Sequence, residues 1–156
     1  MAAYRASSGS GESDPVTTFF ARVLLQASRI EGGATGAGRG CPRCGHPAQA
    51  GSLRPAGDGT ALSLVCSLCL GEWESPRELC RSETCPDGEA LVYYEAAEIS
   101  HIRLQACNRC RRYIHLVRLD VAPDAIADVD EIGGLALDVW ARENGYLKGC
   151  RNLMGM

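Results

Sequence analysis

The 156-residue chain has no long hydrophobic run. Its best apolar stretch, Phe19 to Leu25, is interrupted by Arg22 and falls far short of the roughly 20 residues of a membrane span. The N-terminus lacks the charged start, unbroken apolar segment and small-residue cleavage site of a secretory signal. The sequence therefore reads as cytoplasmic, with no membrane insertion. Positive charge is not in excess: 16 basic and 19 acidic residues give a formal −3, opposite in sign to the footprint of a phosphate-backbone binder. No G-x-G-x-x-G, P-loop or G-x-S-x-G motif is present. His101 and His115 lack the paired Ser, Cys or carboxylate motif of a catalytic triad, and the chain reads as not an enzyme.

Cysteine is what the chain has in plenty, with nine residues. An odd total fits poorly with a closed disulfide framework, whereas a reducing compartment leaves thiols available for metal. Small β modules with limited cores commonly depend on such ions. Cys41-Pro42-Arg43-Cys44-Gly45 and Cys66-Ser67-Leu68-Cys69-Leu70-Gly71 are C-x2-C pairs separated by twenty-one residues. Two residues between thiols let a tight turn aim both sulfurs at one ion, and a following glycine supplies positive φ. Cys80 and Cys85, a C-x4-C pair, precede Cys107-Asn108-Arg109-Cys110 by the same twenty-one residues.

The matched gaps favour two sequential tetrahedral sites: Cys41, Cys44, Cys66 and Cys69, then Cys80, Cys85, Cys107 and Cys110. The alternative is a crossed grouping in which the inner pairs meet and the outer pairs meet. Zinc and iron both accept four thiolates in this geometry, and sequence does not choose between them. His46 reads as lying outside a shell that four cysteines complete. Cys150 has no local partner and is left unassigned. Filling both sites with divalent ions brings the formal charge to about −7, which strengthens the case against a nucleic-acid partner.

The flanking text is helical. Residues 1–13 read as a polar leader. Asp14 and Pro15 then open an amphipathic helix bearing Phe19, Phe20, Val23, Leu24, Ala27 and Ile30, and a Gly-rich linker runs to residue 40. Runs such as Leu62–Val65, Leu91–Tyr94 and Ile114–Val121 suit strands of small antiparallel sheets. Beyond Pro123, Ile126, Val129, Ile132, Leu135, Ala136 and Val139 fall on one face of a helix ending at Asn144-Gly145. Gly133 and Gly134 within it each cost about 1 kcal/mol relative to Ala, so the helix is expected to rely on packing.

The predicted fold class is α+β: two tandem rubredoxin-like or zinc-ribbon β modules flanked by an N-terminal and a C-terminal helix. The predicted divisions are 1–40 (leader, helix and linker), 41–78 (first four-cysteine module), 79–122 (second module) and 123–156 (C-terminal helix and tail). Arg109, Arg111, Arg112 and Arg118 suit either a phosphate grip or a solvated strand face. Trp73, Trp140, Tyr93, Tyr94, Tyr113 and Tyr146 suit either a partner surface or a cover over the metal sites.

The order of motifs adds a resemblance. The first C-P-R-C-G, Ala50-Gly51-Ser52-Leu53-Arg54, Leu64-Val65-Cys66-Ser67-Leu68-Cys69, Glu72-Trp73, Pro76-Arg77, Tyr93-Tyr94, Cys107 to Ile114, and the ending from Leu135 to Tyr146 together resemble the C-terminal portion of the formate dehydrogenase accessory proteins, the FdhE family. The likeness covers roughly residues 15–156. It implies a cytoplasmic, non-enzymatic maturation factor that binds two iron ions at the eight cysteines and contacts the catalytic subunit of respiratory formate dehydrogenase. The chain departs from the family's usual pattern in its C-x4-C third pair and in its shorter helical N-terminal region. A nucleic-acid-binding zinc ribbon and a rubredoxin-like electron carrier are the alternatives; self-association is compatible with either class of binder.

Overall fold

The computed structural model describes residues 14–27, 39–82, 85 and 90–152. The expected leader, most of the Gly-rich linker and Ile30 lie outside the described residues. In chain order the elements are helix α1 (Pro15–Ala27), strands β1 (Ala48–Ala56), β2 (Gly59–Cys66), β3 (Glu72–Glu74) and β4 (Leu91–Glu95), a 3-10 turn (Ala97–Ile99), strands β5 (Ile102–Cys107) and β6 (Arg112–Arg118), helices α2 (Ala127–Gly133) and α3 (Leu135–Glu143), and the short strand β7 (Leu147–Lys148).

All seven strands join one sheet, in the order β3-β2-β1-β6-β5-β4, with β7 also on β6. The sequence pattern anticipates small antiparallel sheets, and the β1–β2, β2–β3, β4–β5 and β5–β6 pairs are antiparallel. What unites them is a parallel pairing of β1 with β6, from Ala50 opposite His115 to Leu53 opposite Arg118. The polar and small residues of β1, Ala48 to Leu53, are nevertheless all buried. They sit at the sheet's centre, where bulk is excluded: a Cβ at Gly51 would stand 2.7 Å from Leu116 Cδ2 and 3.0 Å from Leu62 Cδ1. The β1–β2 hairpin turns through Gly57, whose φ of +55° a two-residue loop requires.

Each face of the sheet has its own core. Ile102, Leu104, Ala106 and Tyr113 pack with Leu137, Ala141 and Tyr146 beneath the C-terminal helices. On the opposite face Leu53, Leu62, Leu64, Ile114 and Leu116 meet Trp73. β6 supplies both cores, and five successive residues, Tyr113 to Val117, are buried.

The helices correct two sequence expectations. One C-terminal helix was expected, buried through Ile126, Val129, Leu135 and Val139; the chain forms two, joined at Gly134, and these four residues are exposed. The inward side instead carries Ala127, Glu131, Leu137, Asp138 and Ala141. In α1 the same inversion occurs. Phe19, Phe20, Val23 and Leu24 are exposed, whereas Arg22 is buried and donates to Arg151 O, Asn152 O, Gln49 Oε1 and Ser67 O at 2.8–3.0 Å. Hydrogen-bonded polar anchors, rather than apolar stripes, decide which side of these helices faces in. The α1 start follows the sequence: Asp14 Oδ2 accepts from the Thr17 backbone N at 2.9 Å and from its hydroxyl at 2.8 Å.

Candidate metal centres

The structure gathers the eight cysteines into two groups that follow chain order. In the first, Cys41 and Cys44 come from the loop before β1, Cys66 from the end of β2 and Cys69 from the loop that follows it. Their sulfurs approach to 3.7 Å (Cys41–Cys69), 3.3 Å (Cys44–Cys66) and 3.6 Å (Cys44–Cys69). A tetrahedral ion with metal–sulfur bonds of about 2.3 Å needs sulfur separations of about 3.8 Å, so the donor set fits such an ion. In the second, Cys80 and Cys85 precede β4, Cys107 ends β5 and Cys110 lies in the turn to β6. Cys80 and Cys110 are 3.5 Å apart, and Cys85 and Cys107 3.7 Å. The wider C-x4-C pair reaches the same geometry, with Cys85 N donating to Ser82 O at 3.1 Å.

The three C-x2-C loops share one backbone device. The residue after each pair adopts positive φ: Gly45 (+74°), Leu70 (+54°) and Arg111 (+57°). Sequence reasoning assigned this role in the second loop to glycine; Leu70 takes it instead, at a cost of about 1 kcal/mol for a residue with a Cβ. Gly71 serves otherwise, since its N–H points to Cys69 Sγ and a Cβ there would press within 3.3 Å of that sulfur. The tight loops aim further N–H groups at sulfur, from Arg43 to Cys41 at 3.4 Å and from Leu68 to Cys66 at 3.3 Å.

Electrostatics divides the thiols within each group. Burial pushes Cys66 strongly upward and Cys80 up to about 12. At Cys107 burial also opposes ionisation, but the N–H groups of Cys110 and Arg109 outweigh it and bring the thiol down to about 7. Cys69 is likewise lowered, its burial overcome by the Gly71 N–H. A cluster that stabilises one thiolate while crowding protonated neighbours against it suits a cation able to displace the remaining protons.

The aromatic and basic residues divide between roles. Trp73 packs against the first thiol group. Tyr94, Trp140 and Tyr146 form an aromatic group at the core beneath the C-terminal helices, with Tyr94 and Trp140 centroids 4.4 Å apart. Tyr146 donates to Asn108 Oδ1, between Cys107 and Cys110. Arg111 stacks 3.8 Å from the Tyr146 ring and donates to the Asn144 carbonyl at the end of α3. Arg118 pairs with Asp120 and Glu95. Arg111 and Arg118 are thus committed to separate partners. His46 turns its Nδ1 to Cys44 O at 3.2 Å, and Cys150 stands apart from both groups.

Sequence reasoning missed a polar cluster under the C-terminal helices. His115 Nδ1 lies 3.5 Å from Glu131 Oε1, and its Nε2 lies 3.3 Å from Asp138 Oδ1, all three side chains being almost fully buried. Lys148, the chain's single lysine, bridges the two carboxylates, 3.0 Å from Asp138 Oδ2 and in contact with Glu131. Tyr113 donates to Asp138 at 2.7 Å. Burial opposes ionisation of Glu131, but His115 and Lys148 hold its carboxyl below the usual value. The ammonium already occupies the space between the carboxylates, so the cluster reads as an internal ion pairing. The signal available in sequence was the spacing of Glu131 and Asp138, seven residues apart on one helical face.

No helix is long and apolar enough to cross a membrane among the described residues. The family model for the FdhE C-terminal domain matches residues 80–154, the stretch that carries the second thiol group. The chain is 33% identical over 116 residues to the FdhE homolog of Aquifex aeolicus, covering 74% of this chain and 41% of that protein. It is 36% identical over 121 residues to the homolog of Pseudomonas aeruginosa, covering 73% and 38%. The crystal structure of the FdhE protein from Pseudomonas aeruginosa superimposes with a TM-score of 0.76 at 30% identity, over 91% of this chain and 52% of that one. The chain thus spans about two fifths of the length of these curated relatives. Residues 80–154, which carry the second thiol group, thus match the FdhE C-terminal domain, and the chain is similar in sequence and fold to FdhE proteins.

Proposed function

We propose that this chain is an accessory protein in the maturation of respiratory formate dehydrogenase, acting in the cytoplasm by binding the catalytic subunit through a metal-stabilised scaffold. The observation that carries the reading is the match to the FdhE C-terminal domain over the residues that build the second thiol group. All eight cysteines act as ligands, four to each ion. A filled four-thiolate shell has no open position for substrate, which suits a binding protein better than a hydrolytic centre. Iron is the ion the resemblance favours, and zinc is the other ion this donor set accepts.

The contact surface in this reading is apolar. Phe20 and Leu24 of α1, and Ile126, Val129 and Val139 of the C-terminal helices, are large side chains presented outward by polar anchors facing inward. Such residues are natural contacts for a partner subunit.

The test is anaerobic co-expression of the tagged chain with the formate dehydrogenase catalytic subunit. Co-purification of the two, abolished by Phe20→Asp with Leu24→Asp, is expected. Absence of the subunit from the purified wild-type chain overturns the proposal. So does tight binding to RNA or DNA that falls steeply with salt.

A further inference from the structure

A cavity of about 460 Å³ lies beside the second thiol group. Its wall includes Cys80 and Cys107 of the second group, together with Arg39, Arg81, Arg112 and Gln105. Three guanidinium groups line it, and among the described residues no carboxylate does. That balance runs against the acidic character of the whole chain.

The polar groups around the cavity are incompletely used. Arg39 is held by the carbonyls of Ser82 and Cys85. Arg81 donates through its terminal nitrogens to Ser75 Oγ at 2.6 Å and Pro76 O at 2.7 Å, yet its buried Nε has no partner. Gln105 is 2% exposed. Its Nε2 donates to Arg77 O and Tyr93 OH, which fixes the amide's orientation and leaves the buried Oε1 without a donor. A buried unmatched acceptor costs about 1–3 kcal/mol, and a cavity of this size is within the range of small-molecule sites.

We infer that this cavity binds a small oxyanion-bearing molecule, its carboxylate or phosphate gripped by the arginines and a hydroxyl or amino group donating to Gln105 Oε1. Guanidinium forks match both oxyanions, which is the shared chemistry. The proposal is independent of the formate dehydrogenase reading, because it concerns the cavity's chemistry alone.

The metal-loaded full chain is titrated by calorimetry and amide NMR with inorganic phosphate, glycerol 3-phosphate and citrate at 150 mM salt. Binding of at least one probe is expected, with shifts at the Gln105 side-chain amide; phosphate and carboxylate probes separate the two ligand sources. Arg112→Gln is expected to weaken that probe at least about tenfold, while Arg109→Gln, outside the cavity wall, leaves it unchanged. Metal content is measured alongside. Failure of all three probes to bind, equal losses in the two variants, or an Arg112→Gln effect confined to metal retention overturns the inference.

Discussion

Gly134 lies directly against the ring of His115: a Cβ added to the glycine would stand 2.8 Å from the imidazole Cε1. Because the ring is buried and flanked by Glu131 and Asp138, it has nowhere to retreat. Gly134→Ala is expected to destabilise by about 1–3 kcal/mol through overpacking, less the roughly 1 kcal/mol that Ala gains in helix propensity. Gly133, whose added Cβ would meet only Ile102 Cδ1 at 3.9 Å, is the comparison. Its Ala variant is expected to be neutral or more stable in denaturant unfolding, and equal behaviour of the two variants would contradict the contact.

The Glu131 cluster sets an acid limit. Burial disfavours the Glu131 carboxylate, but His115 and Lys148 hold its folded pKa below the ordinary 4.5. Its stabilising contribution is therefore present above pH 4.5 and is lost as pH falls through the lower folded value. Glu131→Gln is expected to reduce the slope of stability against pH in that acid window, measured by denaturant midpoints. The thiol groups are common to both proteins, so the difference isolates the carboxylate.

Lys148→Met leaves two buried carboxylates without their ammonium and is expected to cost about 3–5 kcal/mol at pH 7. The gap from wild type should narrow as pH falls and the Glu131 carboxylate protonates. A gap independent of pH would show that the loss is one of packing.

The C-terminal helices show what a sequence makes legible. Cysteine spacing placed all eight thiols in the groups the structure contains, because a loop's ability to aim two sulfurs depends on local spacing alone. Leu62–Val65 and Leu91–Tyr94 were readable as strands from their composition. The buried side of α2 and α3 was not, because apolar periodicity ranks Val129 and Val139 above Glu131 and Asp138 for burial. Their inward placement depends on His115 and Lys148, distant in sequence and visible only once the sheet is assembled. Likewise β1 has too little apolar bulk to announce a central strand; Gly51 is there because the neighbours leave no space.

Metal content tests the grouping of thiols. Cys41→Ser with Cys44→Ser is expected to lower the content from two ions per chain to one in anaerobic preparations. Cys150→Ser should keep both. An iron tetrathiolate reveals itself by colour when oxidised, and zinc is silent. Two ions retained in the double variant would overturn the assignment.

Arg22 is the anchor of α1. Replacing it by Met leaves the carbonyls of Ser67, Arg151 and Asn152 without this donor, and α1 is expected to become the first site of limited proteolysis. Phe20→Ser, on the outward side, should change stability by no more than about 0.5 kcal/mol. Equal protease sensitivity in the two variants would mean that Arg22 does not hold the helix.

The parallel pairing of β1 with β6 ties the two thiol groups into one sheet, so metal binding at one is expected to depend on the other. β1 begins beyond the first cysteine pair, and β6 begins just after Cys110, so ordering either ligand loop helps to order the strand against which the other is built. Coupling of this kind is reciprocal. If each group takes an ion, filling one is expected to raise the affinity of the other, and a metal titration followed by native mass spectrometry should then show fewer chains with a single ion than independent sites would produce.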